Sequence, residues 1–184
     1  MTLVTGGSTG LGRAIALGLA SAGCTTVVAS RRPEVCRQAA AEIAAQTGNT
    51  ALGLACDVTE EDEVHHLVEE IVTEYGRVDV LVTSAGIQAR GELGALDAVT
   101  SRRCLDVNVV GTFLACQAAV PVMRSAGYGR IVTLASALGL VGAAGRAGYA
   151  ASKGAAVQLT RSLEPAQATI SDRSTRRRTP RAGR

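Results

Sequence analysis

The sequence predicts a three-layer α/β protein built on a doubly wound parallel sheet. Three observations carry that expectation: short apolar runs alternate with helix-length periodic segments, the runs are continuously apolar, and a glycine-rich turn follows the first of them. Strands that are apolar throughout belong to sheets covered by helices on both faces, and strand–helix alternation is the mark of parallel crossovers. With 184 residues, 47% of them hydrophobic and 19% charged, the chain can build one sizeable core and is too apolar for general disorder.

The elements follow in order. Residues 2–5 (TLVT) form the first strand and residues 11–19 an apolar-periodic helix after the Gly-rich turn. Residues 25–29 (TTVVA) are the second strand, and Pro33, suited to a first helical position, opens a helix to about residue 46. The pattern repeats with a strand at 51–55, a helix at 60–75 and a strand at 78–82 (VDVLV). A long helix over about 100–125, a strand at 130–134 and a last helix at about 148–163 complete it. Periodicity stops after Glu164, so the expected organisation is a folded domain over 1–164 and an irregular Arg-rich tail over 165–184.

Composition excludes several functions. Five cysteines, an odd number without CxxC spacing, and no leader-like opening point to a reduced, cytoplasmic chain. No uncharged apolar run reaches 18 residues, so no membrane partner is expected. The net charge of +3 hides an asymmetry: residues 1–165 carry a formal −2, and the tail, with Arg173, Arg176, Arg177, Arg178, Arg181 and Arg184, carries +5. That tail lacks aromatic interleaving and any nucleic-acid module, so nucleic acid is not an expected partner.

The first turn reads Thr5-Gly6-Gly7-Ser8-Thr9-Gly10-Leu11-Gly12. Gly6 permits a tight turn, Gly10 a close approach of backbone to a pyrophosphate, and Gly12 close helix packing, while the free N–H groups of the helix start face the phosphate. Gly6, Ser8, Thr9, Gly10, Leu11 and Gly12 are therefore candidate cofactor contacts. After the second strand the chain reads Ser30-Arg31-Arg32, with no carboxylate for a ribose diol. Guanidinium groups pair with a 2′-phosphate, so NADP(H) is favoured and NAD(H) remains possible, although a solvated Arg pair opening a helix reads the same way. Asp57, after the third strand, suits the adenine edge or a helix cap. Ala85 and Gly86, after the fourth, bring backbone to the same sheet edge.

Tyr149 and Lys153, four residues apart, share one helix face. An ammonium beside a phenol favours the phenolate and fits it for proton transfer. Ser136 lies just past the fifth strand, and Asn108 within the long helix. The chain has 18 Arg and one Lys, and that Lys stands at Tyr+4.

These residues resemble the short-chain dehydrogenase/reductase family: TGGSTGLG at 5–12, Asp57-Val58, Ala85-Gly86, Asn108 in NVVG, Ser136, and YAASK at 149–153. The resemblance implies a Rossmann-like fold and hydride exchange between NADP(H) and a small carbonyl or alcohol substrate. Tyr149 would be the acid/base, Lys153 would lower its pKa and hold ribose hydroxyls, Ser136 would orient substrate, and Asn108 would support a water relay. A homo-oligomer is implied too. The texture around residues 86–90 is similar to gluconate 5-dehydrogenase and 3-oxoacyl-carrier-protein reductase relatives. Thr83-Ser84 departs from the family's usual Asn-Asn before Ala-Gly.

The family continues past its catalytic helix with further strands and a substrate lid. The break to SDRSTRRRTPRAGR reads instead as out-of-frame translation, leaving the usual last strands missing and the sheet edge unprotected. A single-base shift before codon 165 that restores a strand and a Pro-Gly turn would support this; its absence would favour a short homologue.

Overall fold

Each apolar run becomes a strand of one parallel sheet. The computed structural model describes residues 1–163, so the 165–184 tail lies outside the described residues. The strands are β1 (Thr2–Thr5), β2 (Thr26–Ser30), β3 (Ala51–Ala55), β4 (Val80–Thr83) and β5 (Arg130–Thr133), in the order β3-β2-β1-β4-β5 with every pair parallel. Thr2 is in register with both Thr26 and Val80. The chain winds outward from β1 to β3 and then returns to β4 on the other side of β1. The crevice at the carboxyl ends of β1 and β4 is the place where such sheets bind ligands.

The helices are α1 (Gly10–Ser21), α2 (Pro33–Thr47), α3 (Glu61–Tyr75), α4 (Ala98–Leu105), α5 (Gly111–Ser125) and α6 (Ala147–Ser162). Local chemistry sets their ends. Pro33 opens α2, Gly48 and Gly76 close α2 and α3 in the left-handed conformation, three acids occupy the first turn of α3, and Asp97 accepts the Thr100 amide at the start of α4.

Alternate strand residues feed two cores. Val4, Val28 and Val82 pack against α1 and α2 through Ala16, Ala20, Ala39, Ala40 and Ile43. Leu3, Val27, Leu81 and Ile131 pack against α3 and α5 through Val64, Leu67, Ile71, Leu114, Ala115 and Met123. Each fully buried large aliphatic side chain contributes ~1.5–3 kcal/mol. The alanines and Gly53 bring α2 close to the sheet: a side chain at Gly53 would run into the Cys36 carbonyl.

The expected helix over 100–125 is interrupted. A π-helical turn, Asp106–Val110, joins α4 to α5, and Asn108 lies in it, 1% exposed. β4 begins at Val80 rather than at Val78, which is buried just before it. The helical stretch Ala98–Ser125 has the length and apolarity to cross a bilayer, yet half of its most apolar window is buried inside the protein, as befits a core helix.

One ion pair secures the start of the sheet. The α-amino group of Met1 donates to Asp79 Oδ2 at 2.7 Å, and Arg77 Nε to Oδ1 at 2.8 Å. Burial alone would raise the Asp79 carboxyl, but the amine and the guanidinium outweigh it and hold the group below its ordinary value. A depressed folded pKa gives stability that is present above the unfolded value of 3.8 and lost as pH falls through the folded value. Asp79→Asn is therefore expected to cost about 1–2 kcal/mol at neutral pH, with the difference closing in acid below pH 3.8. Urea midpoints of the two proteins at several pH values check this; a gap that persists unchanged in acid would refute the ionic origin.

Candidate active site

Two adjoining clefts lie along the carboxyl edge of the sheet. The larger, about 720 Å³, is lined by Gly6, Ser8, Thr9, Ser30, Arg31, Arg32, Cys56, Asp57, Val58, Ala85, Gly86, Ile87, Arg103 and Val107. The smaller, about 350 Å³, shares Gly6, Thr9, Ala85, Gly86 and Ile87 with it and adds Gly10, Leu11, Gly12, Ser84, Gln88, Leu134, Ala135, Tyr149 and Lys153. The Gly-rich turn and the Tyr–Lys pair thus face one continuous space.

The glycines of the turn differ in what they permit. Gly6 has φ +66°, and a Cβ there would stand 2.6 Å from the Ala85 backbone, so the turn after β1 and the loop after β4 approach this closely only because this residue has no side chain. A side chain at Gly12 would strike the Gly6 carbonyl, so this glycine seats α1 on the turn. Gly10 has φ +55° and nothing within 4 Å of its Cβ position among the described residues, which leaves open space at the start of α1. Free N–H groups facing open space are what a phosphate requires, so the residues present fit a dinucleotide.

Ser8 is buried, and its hydroxyl meets that of Ser30 at 2.7 Å; Ser30 in turn meets the Cys36 thiol at 3.0 Å, tying the turn to the end of β2. Arg31 and Arg32 stand at that end in the wider cleft. Arg13 instead pairs with Glu42 at 2.5 Å and joins α1 to α2.

Asp57 accepts the Thr59 amide at 3.0 Å and hydroxyl at 2.8 Å through Oδ1 and meets Arg103 at 3.4 Å through Oδ2. Beside it the Cys56 thiol is pushed up to about 12, by burial first and then by Glu63, Asp57 and Cys36, so it is no nucleophile at neutral pH.

Under the smaller cleft lies a buried polar clamp. Asn108 accepts the Ile87 amide at 2.8 Å and donates to the Ile87 carbonyl and to Ser152 Oγ, both at 2.9 Å; Ser152 donates to the Tyr149 carbonyl at 2.7 Å. One side chain thereby joins the loop after β4, the π turn and α6. The Asn108 side-chain amide is occupied by these partners, and its backbone carbonyl accepts from Thr112 at 2.9 Å.

Lys153 is 7% exposed. Its Nζ donates to the Leu134 carbonyl at 2.5 Å and lies 5.9 Å from the centre of the Tyr149 ring. Burial pushes this ammonium below its ordinary value, with Cys104 opposing the shift. Ser136 accepts the Leu138 amide at 3.2 Å as the cap of a short 3-10 turn, Ala137–Gly139, and does not line the smaller cleft, whose wall from this strand end is Leu134 and Ala135.

Several residues of the site escaped the sequence reading. Arg103 and Val107 face the wider cleft, but Asp57, the partner of Arg103, is 46 residues away from it, beyond any local pattern. Ser152 sits inside YAASK, and its position next to Lys153 was the available signal. Thr83 Oγ1, at the departure from the family pattern, is buried without a hydrogen-bond partner among the described residues.

Comparison with known proteins agrees with this geometry. Residues 1–170 match the family model described as short chain dehydrogenase. The chain is 36% identical over 161 residues to the uncharacterized oxidoreductase YxjF of Bacillus subtilis, a match covering 88% of this chain and 62% of the relative. It is 38% identical over 160 residues to a 3-oxoacyl-[acyl-carrier-protein] reductase of Bos taurus, covering 87% and 66%. The chain thus spans less than two thirds of the length of either.

Among solved structures, an NAD+-bound xylitol dehydrogenase superposes with a TM-score of 0.86 at 34% identity, covering 91% of this chain and 66% of that one. The F189W actinorhodin polyketide ketoreductase with NADPH gives 0.85 at 35%, covering 88% and 62%. The parallel sheet order, the turn after β1 and the match over residues 1–170 converge on one conclusion: the chain belongs to the short chain dehydrogenase family.

Proposed function

We propose that this chain carries the cofactor and proton-transfer site of an NAD(P)-dependent oxidoreductase that interconverts a carbonyl and a secondary alcohol. The observation that carries the reading is that Tyr149 and Lys153 line the same cleft as the Gly-rich turn. The turn would hold the pyrophosphate, and Ser30, Arg31 and Arg32 the adenosine ribose. Their basic character favours NADP(H), with NAD(H) still admitted, as among the solved relatives. Asp57 and Val58 would flank the adenine, and Ala85 and Gly86 the nicotinamide side.

When bound, the nicotinamide supplies or takes the hydride. Tyr149 Oη passes the matching proton to or from the substrate oxygen, and the Lys153 charge stabilises that oxygen when it is deprotonated. By resemblance to the family Ser136 would orient the substrate oxygen, although it caps the Ala137–Gly139 turn and does not line the cleft, and Asn108 holds the Ile87 loop and α6 in mutual position. Substrates of the relatives' kind, a sugar alcohol or an acyl thioester, fit this chemistry. Exposed Leu105, Val110 and Phe113 along α4, the π turn and α5 offer a surface for a homo-oligomer, and the five unpaired thiols suit a reducing, cytoplasmic setting.

A second reading is dinucleotide binding without turnover, favoured by Ser136 capping the Ala137–Gly139 turn instead of lining the cleft of Tyr149 and Lys153. NADPH and NADH fluorescence titrations, followed by cofactor oxidation with a panel of ketones, separate the two. Tyr149→Phe is expected to lower turnover by about 10²–10⁴-fold while leaving dinucleotide affinity unchanged. Binding without Tyr149-dependent turnover would establish the second reading and sink the first.

A further inference from the structure

The adenosine half of the cleft holds Arg31, Arg32 and Arg103 together with one carboxylate, Asp57. Arg103 reaches from α4 across to the loop after β3, where its guanidinium lies 3.4 Å from Asp57 Oδ2. The other oxygen, Oδ1, already accepts two hydrogen bonds from Thr59. The carboxylate is fixed in place, and it stays ionised: burial alone would raise its pKa, but Thr59, Arg103 and Arg31 together lower it.

A fixed negative charge in this position conflicts with phosphate binding. It attracts Arg31, and it repels the dianion that Arg31 and Arg32 would meet. We propose that Arg103 is a positioning residue for cofactor selection: by neutralising Asp57 across the cleft, it leaves Arg31 and Arg32 free for a 2′-phosphate. The proposal rests on the dinucleotide reading of the same cleft. It requires no contact between Arg103 and the phosphate, and it explains how an acid can line a site selective for the more anionic cofactor.

The side chains of Arg103 and Asp57 are 42% and 22% exposed, so solvent screens the pair and the effect is modest. Dissociation constants for NADPH and NADH are to be measured on the full chain by fluorescence titration for wild type, Arg103→Gln, Asp57→Asn and the double variant. Arg103→Gln is expected to reduce the preference for NADPH over NADH by about threefold to fivefold. The double variant is expected to recover it, because no charge remains to be neutralised. Should Arg103→Gln fold poorly, Arg103→Lys, which keeps the charge, is expected to retain the preference.

Equal weakening toward both cofactors would make Arg103 a mere wall of the cleft and overturn the proposal. A preference still lost in the double variant would mean direct phosphate contact and would overturn it too. Failure of the underlying reading is distinct: the wild-type chain would then bind neither dinucleotide, and both inferences would fall.

Discussion

Gly6→Ala is expected to destabilise the protein by about 2–4 kcal/mol and to weaken dinucleotide binding at least tenfold. Two costs combine. The backbone at φ +66° is unfavourable for a residue with a side chain, and the new methyl would stand 2.6 Å from the Cα and N of Ala85, which are backbone atoms that cannot rotate away. Relief requires β1 and β4 to part at the crevice. Gly10→Ala is the matched control, with φ +55° but an empty surround among the described residues. It should cost only the conformational part, about 1–2 kcal/mol, yet also weaken binding, because its methyl would project into the space left for phosphate. Urea denaturation and NADPH titration of both variants test the pair. Equal stability losses would contradict the steric argument, and undiminished affinity in Gly10→Ala would remove the phosphate from that space.

Asn108→Ala should be comparably severe, at about 3–5 kcal/mol. It would strip partners from the Ile87 amide, the Ile87 carbonyl and the Ser152 hydroxyl at once, the last of them on a fully buried residue. Ser152→Ala, which leaves the two Ile87 bonds intact, should cost about 1 kcal/mol. Asn108→Asp keeps the shape and the bond from the Ile87 amide but loses both donors. Equilibrium unfolding orders the three, and an Asn108→Ala no worse than Ser152→Ala would show that the clamp carries little of the fold.

What could be read in advance depended on sequence separation. The strands announced themselves as apolar runs, and the Gly-rich turn, Ser30-Arg31-Arg32 and the Tyr149–Lys153 spacing are local patterns, so their placement on one sheet edge followed from the fold. Boundaries shifted by one or two residues, as with β4 beginning at Val80. The helix over 100–125 looked unbroken because apolar spacing does not register one extra residue. Arg103 with Asp57, and Asn108 with Ile87 and Ser152, join segments brought together only by the crossovers. Their chemistry became visible once the sheet order was known.

The π turn at Asp106–Val110 has a further consequence, which concerns length rather than composition. Wound as regular α-helix, one additional residue would rotate everything after it by about 100°, and the wider π turn takes up that residue instead. The buried side of α4, at Cys104, and that of α5, at Ala115 and Ala119, both face inward because the wide turn absorbs that residue. Removing a single residue between 106 and 110 would therefore regularise the helix while both halves keep their buried sides. What the extra residue sets is thus local, the placement of Asn108 within the turn, and not the facing of the two helices.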